Sequence, residues 1–443
     1  MKPFSRREFL RQSSLAAAAA PLAGSLILQP RILRAGDVGA NDKIRLGLIG
    51  SGGRGRDVLG VFLSNAEIDC PIVCDVDDAH SSQAAEQVEK ARGKRPDTTR
   101  DFRRLIERKD IDAVLVATPD HWHALPTVFA CQSGKDVYCE KPLAKTIDEG
   151  RAMLEASLRH KRVVQMGTQW RSGSHYKNAV EFIQSGKLGK VGLVRGWAYL
   201  DWLGGVGNPP DQEVPAGVDY DMWLGPAPKR AFNPNRFHFN FRWFWDYAGG
   251  LMTDWGVHLI NIMLWAMGPE HPKTVSASGG KFVLKDNSET PDTQVAVFEF
   301  PNYTMIWEHK VGSNNGLYNH PWGILFNGSE GTLILSADGW EVIPERKSKS
   351  LEAFKHPVGP DERFPHVRNF LDCMKSRQDP VENLTVGHHV SSVAHLGNIA
   401  LRTKKKIVWD PVAEKIVGDK EADHLVGVTY RKPWHLPYRR RTG

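Results

Sequence analysis

The chain has 443 residues, 41% of them hydrophobic and 25% charged, which is typical of a globular protein with two or three domains. Its formal net charge is +7, but residues 1–35 alone contribute +5. The rest of the chain is therefore nearly neutral, and its charge gives no support to nucleic-acid binding.

Residues 1–40 are predicted to be an export signal and linker. The run SRREFL at residues 5–10 precedes an alanine-rich apolar stretch and small residues near Ala35, which is the pattern of a twin-arginine signal. We therefore expect the twin-arginine translocase as a partner and the periplasm as the destination, with cleavage of the signal left open. An amphipathic helix or a membrane anchor is the alternative, although Pro21 and Gly24 interrupt the apolar run.

From residue 44 onward, short apolar runs alternate with helical patterns. The predicted strands are 44–50, 71–77, 113–119, 136–142 and 163–167, and the predicted helices lie near 53–65, 78–92, 123–133 and 146–160. Apolar strands that alternate with helices predict a parallel sheet covered on both faces. We therefore assign residues 41–167 to a doubly wound Rossmann domain within an α/β fold.

The texture changes after about residue 170, where strand-like runs follow one another between glycine, proline and asparagine turns. This predicts a C-terminal α/β domain over residues 168–443, with a large, mostly antiparallel open sheet. The aromatic and glycine-rich section 200–250 is predicted to form loops that line a site, with aromatic packing as the alternative. Residues 366–401 look helical, and we expect them to pack across the domain junction.

The five cysteines are odd in number, include no C-x-x-C pair and lie mostly within or beside apolar patterns. We predict that they are buried free thiols rather than a disulfide framework. They are Cys70, Cys74, Cys131, Cys139 and Cys373.

A glycine fingerprint lies between the first predicted strand and the first predicted helix. Glycines at these positions let the chain turn off the strand, approach a pyrophosphate and pack the helix closely, and the helix N-terminus adds partial positive charge. Asp75, at the end of the second strand, is suited to bond ribose hydroxyls, which favours NAD over NADP. A structural turn with a surface aspartate is the alternative. The fingerprint is Gly50-Ser51-Gly52-Gly53-Arg54-Gly55.

Two further motifs follow strand ends, where ligands bind in open α/β sheets. In ATPDHWHA, residues 117–124, His121 and His123 suggest a metal, but no further ligand is suitably spaced; we favour a cofactor or substrate edge and predict no metal. CEKP, residues 139–142, places Lys141 where a desolvated lysine could bind a substrate oxygen and move a proton.

A fourth motif, DWGVHLIN, follows at residues 254–261. Asp254 and His258 are spaced i, i+4 and are predicted to share one helix face. A carboxylate and an imidazole there could form a general acid–base pair. A helix cap at Asp254 and a packed histidine at His258 are the alternative.

These four motifs, in this order, resemble the Gfo/Idh/MocA family of oxidoreductases, and the segments DMWLGPAP (221–228) and FRWFWDYAGG (241–250) are similar to its exported members. The resemblance implies Lys141 as the catalytic lysine, His258 as the acid–base histidine and Asp254 as the acidic partner that orients it. Asp120 departs from the asparagine that is common after Thr-Pro, which is expected to alter a contact near the nicotinamide. The resemblance further implies cofactor contacts by Thr118, Pro119, His123, Glu140, Lys141 and Gln169, and substrate contacts by Trp170 and Arg171.

The implied reaction is hydride transfer between NAD and a hydroxyl or keto group of a sugar, cyclitol or sugar derivative. Lys141 and His258 would hold the reacting oxygen, with the aromatic section against the apolar face of the sugar. The first alternative is an NAD-dependent glycoside hydrolase that oxidises C3 transiently, eliminates the aglycone and recycles its bound NAD. The second is a non-catalytic sugar-binding protein. By analogy, the open sheet suggests a homo-oligomer, either a dimer or a tetramer.

Overall fold

The computed structural model describes residues 43–201 and 205–438. The predicted export signal and linker at residues 1–40 lie outside these ranges. No helix within them combines the length and the apolar character needed to cross a bilayer.

The N-terminal sheet has six parallel strands in the order β3-β2-β1-β4-β5-β6, which confirms the predicted Rossmann sheet. The order reverses between β1 and β4, and this creates a crevice at their carboxyl ends. Strand β3 escaped prediction because it is a short, polar strand at the sheet edge. The strands are β1 (Ile44–Ile49), β2 (Ile68–Cys74), β3 (Asp97–Thr99), β4 (Ala113–Val116), β5 (Asp136–Cys139) and β6 (Val164–Met166).

Helices cover both faces of this sheet, and side chains that alternate along each strand feed two separate hydrophobic clusters. Thr146 caps the helix that follows it: its hydroxyl accepts the Glu149 N–H at 3.3 Å and donates to Glu149 Oε2 at 2.9 Å. The helices are α1 (Gly53–Leu63), α2 (Asp78–Arg92), α3 (Phe102–Ile106), α4 (Ala124–Gln132) and α5 (Ile147–His160).

The C-terminal sheet has ten strands in the order β14-β13-β12-β11-β7-β10-β9-β8-β15-β16. Strands β7 and β10 pair in parallel, and the other neighbours are antiparallel, as predicted. The strands are β7 (Leu193–Leu200), β8 (Thr274–Gly280), β9 (Thr293–Glu299), β10 (Thr304–Val311), β11 (Trp322–Asn327), β12 (Gly331–Ser336), β13 (Gly339–Pro344), β14 (Phe354–Pro357), β15 (Ile407–Asp410) and β16 (Lys415–Ile416).

One face of this sheet packs against helices, because alternate side chains of its strands are buried, as in β10. Helices α6, α9 and α11 supply the other half of that core. The helices of this half are α6 (Ser174–Gln184), α7 (Tyr220–Leu224), α8 (Gly250–Asp254), α9 (Gly256–Met267), α10 (Arg363–Ser376), α11 (Leu384–Thr403) and α12 (Lys420–His424).

Helix α10 returns to the N-terminal sheet. Its Val367, Phe370 and Leu371 join the hydrophobic cluster around α1 and α2, and His366 Nε2 lies 3.0 Å from the Met166 oxygen. The expectation that this region packs across the junction is therefore confirmed. The division into domains at residues 41–167 and 168–443 stays a prediction.

The cysteines behave as expected. All five are buried free thiols, and burial raises the pKa of Cys70 to about 12. They pack as small apolar side chains rather than as nucleophiles or cross-links.

Candidate active site

The glycine fingerprint forms a tight turn between β1 and α1. Gly50 has a φ of +91°, and a Cβ there would lie 2.6 Å from the carbonyl carbon of Ala117. A Cβ on Gly55 would lie 2.0 Å from the Gly50 oxygen, so only glycine lets α1 begin this close to the strand. No side chain caps α1 at Gly52, which leaves the first N–H groups of the helix available to a phosphate.

Asp75 closes this turn from the end of β2. Its Oδ2 accepts the Ser51 N–H at 2.6 Å, and its Oδ1 accepts the Asp77 N–H at 3.0 Å. The carboxylate lines the cleft beside the glycine turn, where the ribose of a dinucleotide would meet it. Its negative charge disfavours a 2′-phosphate, so this end of the cleft fits NAD.

A cleft of about 570 Å³ extends from the glycine turn toward the C-terminal half of the chain. The buried Thr118 hydroxyl has no hydrogen-bond partner among the described residues, as expected of a group that contacts a bound cofactor. Residues from both halves line the cleft, among them Gly50, Gly52, Gly53, Arg54, Asp75, Thr118, Pro119, Asp120, Glu140 and Lys141 from the first, and Met222, Trp223, His238, Phe239, Phe241, Arg242 and Asp254 from the second.

Lys141 and Asp254 meet within this cleft. Lys141 follows β5 and Asp254 ends α8; Lys141 Nζ lies 2.7 Å from Asp254 Oδ1 and 2.6 Å from its main-chain oxygen. Arg242 Nε lies 3.4 Å from the other carboxylate oxygen. Burial opposes ionisation of Asp254, but the charges of Arg242 and Lys141 outweigh burial and hold the pKa of this carboxyl well below its ordinary value.

His258 lies close by, but it does not share a helix with Asp254 as predicted. The helix is interrupted at Trp255, so that α8 ends at Asp254 and α9 begins at Gly256. The Asp254 carboxylate pairs with the side chains of Lys141 and Arg242. The buried His258 Nδ1 has no hydrogen-bond partner among the described residues. Burial, reinforced by the charge of Lys141, lowers the pKa of His258 well below its ordinary value and keeps the imidazole neutral.

Arg54, from the glycine fingerprint, joins three elements beneath the cleft. Its guanidinium lies 2.9 Å from Glu140 Oε1, 2.8 Å from Asp57 Oδ2 and 3.4 Å from Gln169 Oε1. The Glu140 side chain is only 5% exposed, so Arg54 provides the charge that its burial requires. Arg54 and Gln169 therefore hold the loop that carries Lys141. This role is additional to any contact that they make with a dinucleotide.

His123 is buried and does not line the cleft, which corrects the predicted direct cofactor contact. Its Nδ1 lies 2.8 Å from the Pro142 oxygen and its Nε2 2.9 Å from the Thr118 oxygen. Burial lowers its pKa, so the ring is neutral and carries one N–H, which can donate to only one of these two oxygens at a time. The imidazole is thus packed between two strand-end loops. His121 Nε2 lies 2.9 Å from the Trp223 oxygen, and thus the two histidines have separate carbonyl partners instead of converging on a metal.

The side chains of the predicted substrate residues Trp170 and Arg171 have different surroundings, and neither residue lines the cleft. Trp170 stacks on Trp322 at 4.8 Å, and its ring lies 4.9 Å from that of His258, which places it behind the imidazole. Arg171 Nη1 donates to Asn261 Oδ1 at 2.9 Å, and its guanidinium does not border the cleft. The sequence around Trp170 and Arg171 does not distinguish these two orientations, since they depend on packing against α9.

Section 200–250 was predicted to line a site, but no side chain in it was named for that role. Those that line the cleft lie in one segment, residues 217–244, which we call the strap. It crosses from the C-terminal half onto the Rossmann sheet, where the Asp219 N–H donates to the Val76 oxygen at 2.9 Å and Trp122 Nε1 to the Met222 oxygen at 3.0 Å. Aromatic packing holds it together. Both readings of the aromatic section therefore apply, because its rings pack together and several line the cleft.

Asp120, noted only as a departure from the family pattern, is a buried cleft residue. Burial and the nearby Asp254 charge raise its pKa to about 8, although Lys141 and Arg242 oppose this shift. The reaction end of the cleft therefore combines two cations, an ionised carboxylate and a protonated carboxyl. The neutral imidazole of His258 lies near Lys141 and Asp254 but is not among the residues that line the cleft. Such a set can hold a hydroxyl or keto oxygen and transfer its proton.

Comparison with known proteins supports this description. Residues 44–168 match the family model "Oxidoreductase family, NAD-binding Rossmann fold", and residues 176–305 and 326–436 match "Oxidoreductase family, C-terminal alpha/beta domain". A levoglucosan dehydrogenase solved with NADH and L-sorbose has the same fold, with a TM-score of 0.65, 18% identity and coverage of 83% of this chain and 99% of that one.

Curated relatives match over shorter segments. Levoglucosan dehydrogenase of Pseudarthrobacter phenanthrenivorans is 35% identical over 25% of this chain and 29% of its own length. A glycosyl hydrolase family 109 protein of Saccharopolyspora erythraea is 31% identical over 45% and 46%, and inositol 2-dehydrogenase/D-chiro-inositol 3-dehydrogenase of Shouchella clausii is 35% identical over 34% and 43%. The matches thus span less than half the length of each relative. With both family models matched along most of its length, the chain belongs to the Gfo/Idh/MocA family of oxidoreductases and has an NAD-binding Rossmann domain.

Proposed function

We propose that this protein is an NAD-dependent oxidoreductase acting on a hydroxyl or keto group of a sugar, cyclitol or sugar derivative. The observation that carries this proposal is the Lys141–Asp254 pair, which lies in the same cleft as the glycine turn and Asp75. A cation is thereby fixed where a substrate oxygen would approach the nicotinamide end of a dinucleotide. The dehydrogenase relatives act on levoglucosan and inositol, which supports a polyhydroxylated substrate.

The proposed roles follow from the contacts. NAD, when bound, supplies the hydride acceptor or donor. Lys141, oriented by the two oxygens of Asp254, donates to the substrate oxygen, and the neutral imidazole of His258 accepts the proton that this oxygen releases. Much of the acceleration comes from holding the substrate against the cofactor in a fixed geometry.

The cofactor contacts are proposed on the same basis. Gly52 and Gly53 would present backbone N–H groups to the pyrophosphate at the uncapped start of α1. Gly50, Ser51 and Gly55 would shape the turn, and Asp75 would accept from the ribose. Thr118 and Pro119 border the cleft further along, where the nicotinamide would lie, while Glu140, Gln169 and His123 keep those loops in place.

A second candidate function, NAD-dependent glycoside hydrolysis, is favoured by the match to glycosyl hydrolase family 109 proteins. The strap lines part of the cleft, which suits a cofactor that stays bound and is recycled. The same Lys141 and His258 would serve its transient oxidation step.

One experiment separates these candidates. The nucleotide released from the purified protein is identified by mass spectrometry, and sugars, cyclitols and aryl glycosides are then screened for NADH formation and aglycone release. Net NADH supports the oxidoreductase, whereas aglycone release without NADH supports the hydrolase. Absence of turnover across the screen would favour a non-catalytic sugar-binding protein and overturn the proposal.

We also propose that the twin-arginine translocase exports the protein to the periplasm and that the exposed face of the ten-stranded sheet joins copies of the chain. The paired arginines at residues 6 and 7 support the first proposal. The exposed Val295 on β9 belongs to the sheet face opposite the helices and supports the second. Fractionation of cells with and without a working translocase tests export, and light scattering measures the oligomeric state.

A further inference from the structure

Three metal-ligating side chains converge where the strap meets the Rossmann half of the chain. One ligand atom from each of Asp77, His80 and His238 lies within 4.8 Å of the other two. His238 Nε2 lies 2.8 Å from Asp77 Oδ2, and the rings of His80 and His238 overlap with centroids 4.1 Å apart. Two imidazoles and one carboxylate form a donor set typical of zinc and related transition metals.

The local fold presents these donors in a fixed arrangement. Asp77 caps α2 by accepting the Ala79 N–H at Oδ1, at 2.8 Å, which leaves Oδ2 directed to the cluster. His80 follows in the first turn of the same helix, so the two residues lie on one side of its N-terminus. The third donor, His238, belongs to the strap and lies 161 residues away in sequence.

Two further observations concern the surroundings of the donors. His238 has a φ of +45°, a left-handed conformation that is uncommon for a non-glycine residue and recurs at ligand clamps. In addition, Asp75 Oδ2 lies 3.8 Å from His80 Nδ1, which supplies the outer carboxylate that commonly orients a metal-bound imidazole.

We propose that Asp77, His80 and His238 bind a divalent transition-metal cation, with Zn²⁺ as the reference ion. Ligand distances of about 2.0–2.2 Å require the Asp77–His238 contact of 2.8 Å to widen around the ion and His80 to approach it. Two of the three donors, His80 and His238, line the cleft. A bound cation would tie the strap to the Rossmann half and slow the escape of a dinucleotide. This proposal does not depend on which substrate the enzyme uses.

Cobalt is the probe for this site, because tetrahedral Co²⁺ absorbs visibly and substitutes for Zn²⁺. The full chain is stripped with chelator and titrated with Co²⁺, with Zn²⁺ displacement followed by calorimetry. We expect one equivalent per chain and the visible absorption bands of a four-coordinate Co²⁺ ion. His238→Ala should weaken binding by more than about tenfold, which is the loss expected even for an outer partner of a metal ligand.

Two variants make the result decisive. Asp77→Asn keeps an acceptor for the Ala79 N–H but loses the charge. This variant should therefore fold, yet bind Co²⁺ more weakly than the unmodified chain does. His320→Ala removes a histidine that lies 3.5 Å from Asp338 without a second imidazole, and it should bind Co²⁺ as the unmodified chain does. Absence of tetrahedral bands in the unmodified chain, or equal affinity in His238→Ala, would overturn the proposal.

Discussion

Lys141 Nζ lies 2.7 Å from Asp254 Oδ1, although the two residues are 113 positions apart. The contact joins the loop after β5 to the end of α8, and a second bond runs from the same nitrogen to the Asp254 main-chain oxygen. The proposed reaction centre therefore combines residues from both halves of the chain. The Asp254 carboxylate contacts Lys141, whereas the resemblance implied that it orients His258.

Replacing Lys141 with alanine should remove turnover while leaving the glycine turn intact. We expect a fall of about 10²- to 10⁴-fold in the single-turnover rate, the range typical of a lost proton donor. Nucleotide binding, measured by fluorescence titration, should persist. Lys145→Ala is the matched control, since Lys145 does not border the cleft. Equal rates in the two variants would refute the role of Lys141.

Two glycines of one turn should respond very differently to alanine. A Cβ on Gly55 would lie 2.0 Å from a backbone oxygen, whereas one on Gly53 would meet nothing within 4 Å. Gly55→Ala should therefore abolish NAD binding or folding, while Gly53→Ala keeps both. Thermal unfolding with and without NAD measures the difference. Equal shifts in the two variants would contradict the packing argument.

Removing Arg54 should destabilise the protein by leaving Glu140 buried without its cation. Because Glu140 is nearly inaccessible and Arg54 is partly exposed, we expect a loss of about 3 kcal/mol in the free energy of unfolding. Adding Glu140→Gln to Arg54→Ala should recover part of it. Urea titration measures each value. Arg95→Ala, which breaks an exposed pair with Glu89, should lose less than about 1 kcal/mol and serves as the control.

Asp120 should make stability fall as pH rises. Burial and the Asp254 charge raise its pKa from 3.8 to about 8, so between these values the native state holds a proton that the unfolded chain has released. Asp120→Asn removes this titration. The stability of the variant relative to the unmodified chain should thus grow with pH, by up to about 1.4 kcal/mol per unit, and level off above pH 8. A difference that stays flat between pH 4 and 9 in urea titrations would contradict it.

Asp75 should set the preference for NAD over NADP. Without its charge, Asp75→Ala should bind NAD more weakly and NADP no worse, because the repulsion of a 2′-phosphate disappears. Equilibrium binding of both nucleotides gives the ratio. Asp69→Ala, on the same strand but outside the cleft, should leave that ratio unchanged.

Sequence patterns with local causes predicted much of this fold. The apolar runs, the T-x-x-E cap and the glycine turn follow from short-range rules on burial, capping and backbone freedom, and they identified the parallel sheet and the nucleotide end of the site. The short polar strand β3 and the helix break at Trp255 carried no such pattern. Both depend on neighbours that are distant in sequence.

By itself, the sequence identified the glycine turn, Asp75 and Lys141 as groups that follow strand ends, and Asp254 and His258 as their partners from the second half. Only the tertiary structure decided which of them meet: Lys141 with Asp254, Arg54 with Glu140, and the strap histidine with Asp77. The reason is physical: a charged side chain pairs with an opposite charge that the packing of the two halves places near it. Once the pair is buried, removing either partner leaves an uncompensated charge and is strongly destabilising.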